Sequence, residues 1–230
     1  PNTGGGGGGG GSNLAASSGP LTGVSHYLAA RAVNADNAGA DATKWTALYN
    51  AAIQTSSSAA LYGSNGVRVT IQDVGNARIQ TTPPSFAILP RTPLIFTGVA
   101  ARLTGPSTTT VTSSQFPGFA KRARPVIRWR AWNGTIIRED RPAYDIIFAA
   151  VNTTVYLGPN SATNVGGTWE TGNAPANAYY FDVIWEFLYM DGSDQVDIDI
   201  ADLQFLPYLA TGGNGADGLA IVRWFDKTSA

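Results

Sequence analysis

The chain is 230 residues long, enough for one large β domain to close a core without disulfide or metal staples. It has no cysteine and one histidine, which excludes disulfide frameworks, thiolate zinc sites, iron–sulfur clusters and cysteine nucleophiles. Fifteen basic against sixteen acidic side chains leave the net charge near zero, and charged residues are only 13% of the chain, so a neutral polar surface suited to association is expected.

Residues 1–20 read as a glycine-rich N-terminal arm ahead of one domain spanning 21–230. Gly4 to Gly11 are an unbroken glycine run with no side chain to bury and maximal backbone entropy, so the arm is expected to serve contacts with neighbouring copies rather than the core. Asp41 to Ile53 is the best helix candidate: Trp45, Leu48, Tyr49 and Ile53 fall on one helical face, with Asp41 as N-cap. Strands are predicted over Val67 to Val74, Leu94 to Leu103, Val126 to Ile137, Tyr144 to Leu157, Tyr179 to Met190, Val196 to Phe205 and Leu219 to Phe225. All are rich in Val, Ile, Thr and aromatics and are bounded by Pro, Gly, Asn and Ser clusters.

Alternation sharpens three of them. Arg128, Arg130 and Trp132 lie opposite Ile127, Trp129 and Ala131; Asp182, Ile184 and Glu186 lie opposite Phe181, Val183, Trp185 and Phe187; Val196 to Ile200 alternates Val or Ile with Asp. About eight half-buried strands with almost no helical crossovers predict an all-β fold, an antiparallel β-sandwich of jelly-roll type with one short helix. No apolar run reaches the roughly 18 residues of a membrane-spanning helix, so no membrane partner is expected.

Catalytic motifs are lacking. His26 has no nucleophile motif beside it, and neither a Gly-x-Ser-x-Gly elbow nor a phosphate-binding loop is present, so no enzyme, cofactor or catalytic residue is assigned. Glu139, Glu170 and Glu186 are the only glutamates; a glycosidase would need two carboxylates across a cleft, of which Glu170 with Glu186 is the conceivable pair, but Glu186 reads as a solvent-side strand residue. Asp191, Asp194, Asp197, Asp199 and Asp202 could offer oxygens to calcium, yet lack the loop of a dedicated site and read as a turn with a polar strand face. Lys121, Arg122, Arg124, Arg128 and Arg130 gather five basic residues into ten positions flanked by Phe116, Phe119 and Trp129, the one patch that a nucleic-acid backbone could use. Asn133 and Asn152 begin Asn-x-Thr acceptor patterns, which matter only in a secreted protein.

With its polar arm, its Thr/Ser/Asn/Gly-rich connections at Thr104 to Ser114 and Gly158 to Asn177, and no cysteine or catalytic set, the chain resembles the jelly-roll coat protein of a small icosahedral virus. The resemblance implies self-assembly into a virion capsid, with other copies or related coat subunits as partners and viral nucleic acid met by the patch from Lys121 to Arg130. The alternative is a secreted carbohydrate-binding or adhesive β-sandwich in which Trp132 or Trp169 stacks on sugar rings.

Overall fold

The computed structural model describes residues 42–61, 66–82, 85–88, 90–105, 108–158, 167–191, 196–200 and 204–207, all within one compact unit, Pro20–Tyr208. The glycine arm, Asp41, His26, Asp194, Asp202 and the strand expected at Leu219 to Phe225 lie outside the described residues.

The expected helix is instead a strand pair. A 3-10 turn at Ala42–Lys44 leads into β1 (Trp45–Tyr49), and β2 (Ala51–Ser56) follows after a corner at Asn50. Asn50 has φ 53°, outside the right-handed helical region, and its side-chain amide donates to the carbonyls of Asp73 and Asn76. The helical pattern of apolar residues was coincidental, since Leu48 and Tyr49 are exposed while β1 and β2 hydrogen-bond to different sheets.

The remaining strands are β3 (Gly66–Ile71), β4 (Gly75–Thr81), β5 (Phe86–Ala87), β6 (Leu94–Thr97), β7 (Ala100–Thr104), β8 (Arg122–Arg130), β9 (Ile136–Asp140), β10 (Ile146–Ile147), β11 (Thr154–Tyr156), β12 (Trp169–Glu170), β13 (Tyr180–Met190), β14 (Val196–Ile200) and β15 (Gln204–Pro207). Several expected strands are each two, broken where a residue takes positive φ: Gly98 separates β6 from β7, Gly134 sits in the turn between β8 and β9, and Asn152 lies between β10 and β11. β4 was not anticipated.

A seven-stranded sheet runs β1-β4-β13-β8-β10, with β5 added to β13 and β9 to β8; a five-stranded sheet runs β11-β7-β14-β3-β2; a three-stranded sheet runs β12-β6-β15. Every pairing is antiparallel. The chain folds back on itself: β3 pairs with β14, β4 with β13, β7 with β11 and β8 with β10, so early strands meet late ones in reverse order. In chain order these eight strands alternate between the two larger sheets except that β8 and β10 share one, the arrangement of a jelly roll, and the fold is the expected all-β antiparallel sandwich.

One apolar cluster joins the sheets. Val67, Val69 and Ile71 of β3, Leu103 of β7 and Ile198 of β14 meet Ile79 of β4, Trp129 of β8 and Phe181, Val183 and Trp185 of β13. Alternate residues of these strands point inward, which is why the period-two pattern was readable. Glycine is demanded at Gly66: a Cβ there would stand 2.1 Å from the Ala59 carbonyl oxygen and 2.6 Å from the Ala60 nitrogen. Because the obstruction is backbone, Gly66→Ala is expected to cost at least about 2 kcal/mol, as overpacking does. A thermal melt within a degree of the parent would disprove this.

Candidate functional site

The outer faces of both large sheets are built by strand register. On the seven-stranded sheet Glu186 of β13 lies opposite Arg78 of β4 and Arg124 of β8, and on the five-stranded sheet Asp199 of β14 lies opposite Arg68 of β3 and Arg102 of β7. Each carboxylate is clamped from both sides. Asp199, fully buried, accepts from Arg68 Nε at 2.7 Å and Arg102 Nη2 at 2.7 Å, and Glu186 accepts from Arg124 Nε at 2.7 Å as well as from Arg78. Burial alone would raise the Glu186 pKa, but hydrogen bonds and charge from Arg78 and Arg124 outweigh it and hold the carboxyl below its ordinary range. Glu139 is likewise held low: burial pushes it up, and Arg128 and Arg78 more than reverse this.

This register decides where the five basic residues of the sequence patch stand. Arg124 is bound by Glu186 and Asp145, Arg128 by Glu139 and Arg130 by Asp182. Lys121 is not on that face. It is fully buried, and its Nζ donates to the carbonyls of Thr108 and Thr110, both at 2.9 Å. Arg122 is held more loosely than the other three, 3.4 Å from Asp145 with its guanidinium 5.7 Å from the centre of the Tyr189 ring. Glu186 is thus buried beneath arginines rather than solvent-facing, which corrects the expectation for that residue.

The described acidic residues of the calcium candidate, Asp191, Asp197 and Asp199, are also engaged. Asp191 accepts from the backbone N–H groups of Thr112 and Ser113 at 2.9 Å each, Asp197 accepts from the Thr70 hydroxyl, and Asp199 holds its two arginines. No group of three or more His, Asp or Glu side chains among the described residues is arranged to hold a metal ion.

Concavity lies elsewhere. A cleft of about 740 Å³ opens where the three sheets meet. One wall is the end of β9 and the segment running on to Tyr144; the others are Leu157 and Gly158 after β11, and Thr168 to Gly172 around β12. The first wall is stiffened by ion pairs between Arg138 and Asp140 and between Arg141 and Glu139, each at 2.9 Å. Arg138 also donates to the Asn173 carbonyl at 3.0 Å, and Asp140 accepts the indole N–H of buried Trp129 at 2.6 Å, tying this wall to the core. Tyr144, 52% exposed, offers a ring face, and Glu170 is exposed. Trp169, one candidate for sugar stacking, lines the cleft but is buried, its ring stacked on Phe96 at 5.2 Å; Trp132, the other, is 73% exposed at the β8–β9 turn. Glu186 does not line the cleft, so the conceivable pair with Glu170 is not assembled.

Sequence reasoning missed Arg138, Asp140, Arg141 and Tyr144. Their signal was the densest run of mixed charge in the chain, Arg138-Glu139-Asp140-Arg141, followed by an aromatic three positions on.

No protein family matches the chain, and no curated protein matches it in sequence. Among solved structures it is similar to the enzymatically active domain of tailspike protein 4 of bacteriophage CBA120 (13% identity, TM-score 0.45, covering 76% of this chain and 21% of that one). It is similar to the C-terminal family 22 carbohydrate-binding module of Clostridium thermocellum Xyn10B (16% identity, TM-score 0.44, covering 72% and 87%) and to the xylan-binding domain of Paenibacillus barcinonensis Xyn10C (10% identity, TM-score 0.45, covering 72% and 86%). The chain spans about a fifth of the tailspike domain's length. Carbohydrate-binding modules recur among these similarities, which corrects the expected function of assembling a virion capsid. The features that suggested it, polar connections and absence of cysteine, fit any disulfide-free β-sandwich.

Proposed function

We infer that the chain is a glycan-binding β-sandwich and that the cleft between Tyr144 and Glu170 is its binding site. The observation that carries this is a concave surface combining an exposed aromatic face with fixed charged hydrogen-bonding groups, the pairing suited to a ring with apolar C–H faces and a hydroxylated rim. Arg138 and Arg141 are held in place by Asp140 and Glu139, so hydroxyls would meet donors and acceptors already oriented. The role is binding rather than catalysis. Glu139, kept ionised by Arg128 and Arg78, is a poor proton donor to a leaving group.

Isothermal titration against oligosaccharides, with xylohexaose and β-1,4-galactotriose among the first, tests this. Tyr144→Ala is expected to weaken the best ligand about tenfold, the loss of one stacking contact. Trp132→Ala, at the far end of the same hairpin, should leave affinity unchanged. Binding lost with Trp132→Ala and kept with Tyr144→Ala would move the site to the turn, and no binding to any glycan would end the proposal.

A further inference from the structure

A second surface joins aromatic faces to a loosely held cation. Phe116 and Phe119, on the loop between β7 and β8, meet Tyr189 of β13 with ring centres 5.5 and 4.9 Å away, and the Arg122 guanidinium lies 5.7 Å from the centre of the same tyrosine ring. Phe119 is 48% exposed, and Phe116, Tyr189 and Arg122 are half-buried, so the cluster is at the surface.

It is firmly built. The loop is pinned by buried Lys121 bonding the carbonyls of Thr108 and Thr110, and by buried Asp191 accepting from Thr112 and Ser113. Tyr189 reaches the cluster from a bulge in β13 with φ 58°, a conformation rare for an aromatic residue and found where surroundings impose it. Arg122 differs from its neighbours on β8. Arg124 and Arg130 each contact a carboxylate at 2.6 Å, whereas Arg122 has Asp145 at 3.4 Å, and its Nε, shielded from solvent, has no hydrogen-bond partner among the described residues.

We propose that Phe119, Tyr189 and Arg122 form a second glycan-contacting platform selective for a carboxylated sugar, the rings taking the apolar face and Arg122 the carboxylate. This rests on the glycan-binding reading of the cleft. An acidic sugar fits better than a nucleic-acid strand because a phosphate backbone needs successive cations, and Arg124, Arg128 and Arg130 are already neutralised by Glu186, Glu139 and Asp182. One under-partnered guanidinium beside a ring suits one carboxylate.

The test compares a xylo-oligosaccharide carrying a glucuronic acid branch with its carboxyl-reduced form by isothermal titration on the full chain. The acid is expected to bind about tenfold tighter, the worth of one charge-assisted hydrogen bond. Arg122→Gln should abolish that ratio, Arg122→Lys should restore part of it, and Phe119→Ala should weaken the acidic ligand. Tyr144→Ala, in the cleft, should lower both affinities and leave the ratio intact. Equal binding of the two forms, or a ratio unmoved by Arg122→Gln in a protein whose circular dichroism is unchanged, overturns the platform while the cleft stands. Absence of binding by both sugars and by neutral xylohexaose overturns both readings. Binding of a single-stranded oligonucleotide that Arg122→Gln removes, with no preference for the acidic sugar, assigns the platform to nucleic acid instead and also overturns the proposal.

Discussion

Replacing Asp199 with alanine is expected to lower the free energy of unfolding by about 4 kcal/mol, the loss typical when one member of a buried ion cluster is removed and its partners are left uncompensated. Asp199 has no exposure and accepts four hydrogen bonds from Arg68 and Arg102. Among the described residues, Arg102 would keep only the Ser58 carbonyl. Glu186→Ala should cost less, about 3 kcal/mol, because Arg78 retains Glu139 and Arg124 retains Asp145, each at 3.2 Å. Urea unfolding of the two variants checks both size and order. Replacing Asp199, Arg68 and Arg102 together with leucine should recover most of the loss, since the cost comes from stranded charge rather than from the missing side chain. An Asp199→Ala variant within 1 kcal/mol of the parent would show that solvent, and not the carboxylate, satisfies the two arginines.

The same clusters set how the fold responds to acid. The folded pKa values of Glu139 and Glu186 lie below the ordinary carboxylate value of 4.5 because Arg128, Arg78 and Arg124 stabilise the ionised forms by more than burial opposes them. A depressed folded value means that the folded state releases these protons more readily than the unfolded chain. The stabilisation is therefore fully present above the unfolded value near 4.5 and is lost as pH falls through the lower folded values. Melting temperature should hold above that point and fall below it, and Glu186→Gln should shrink the fall.

The sandwich was legible because its central strands separate apolar from polar faces. In β8, Ala123, Ile127 and Trp129 go to the core while Arg124, Arg128 and Arg130 face outward, and β14 places Val196, Ile198 and Ile200 inside with Asp197 and Asp199 outside. The matching of these charges was not legible. Arginines at alternate positions of β8 looked like a patch for an outside partner, because the counter-charges of Arg124 and Arg130 are 62 and 52 residues away on β13 and, like Glu139 of β9 opposite Arg128, meet them only through register. The corner at Asn50 was hidden for a related reason: its amide bonds Asp73 and Asn76, so local helical periodicity was overridden by a distant turn. The cleft was harder still, since its walls come from three separated segments on three different sheets.

Trp129 links that cleft to the core, and its removal should have the largest effect of any single aromatic substitution. The side chain is fully buried, packs on Phe181 with ring centres 5.9 Å apart, and donates its indole N–H to Asp140, which also pairs with Arg138 on the cleft wall. Trp129→Ala is expected to cost about 4 to 5 kcal/mol through the cavity it leaves. The informative comparison is with Trp185, also fully buried, whose indole N–H has no hydrogen-bond partner among the described residues. Trp129→Phe and Trp185→Phe remove similar volume, but only the first takes a hydrogen bond from a carboxylate. Trp129→Phe should therefore be the more destabilising by about 1.5 kcal/mol or more. It should also weaken glycan binding, because Asp140 loses the contact that fixes it and Arg138 loses a rigid partner, whereas Trp185→Phe should leave affinity unchanged. Equal stability losses in the two phenylalanine variants, with affinity untouched in both, would mean that the core does not position the cleft through this bond.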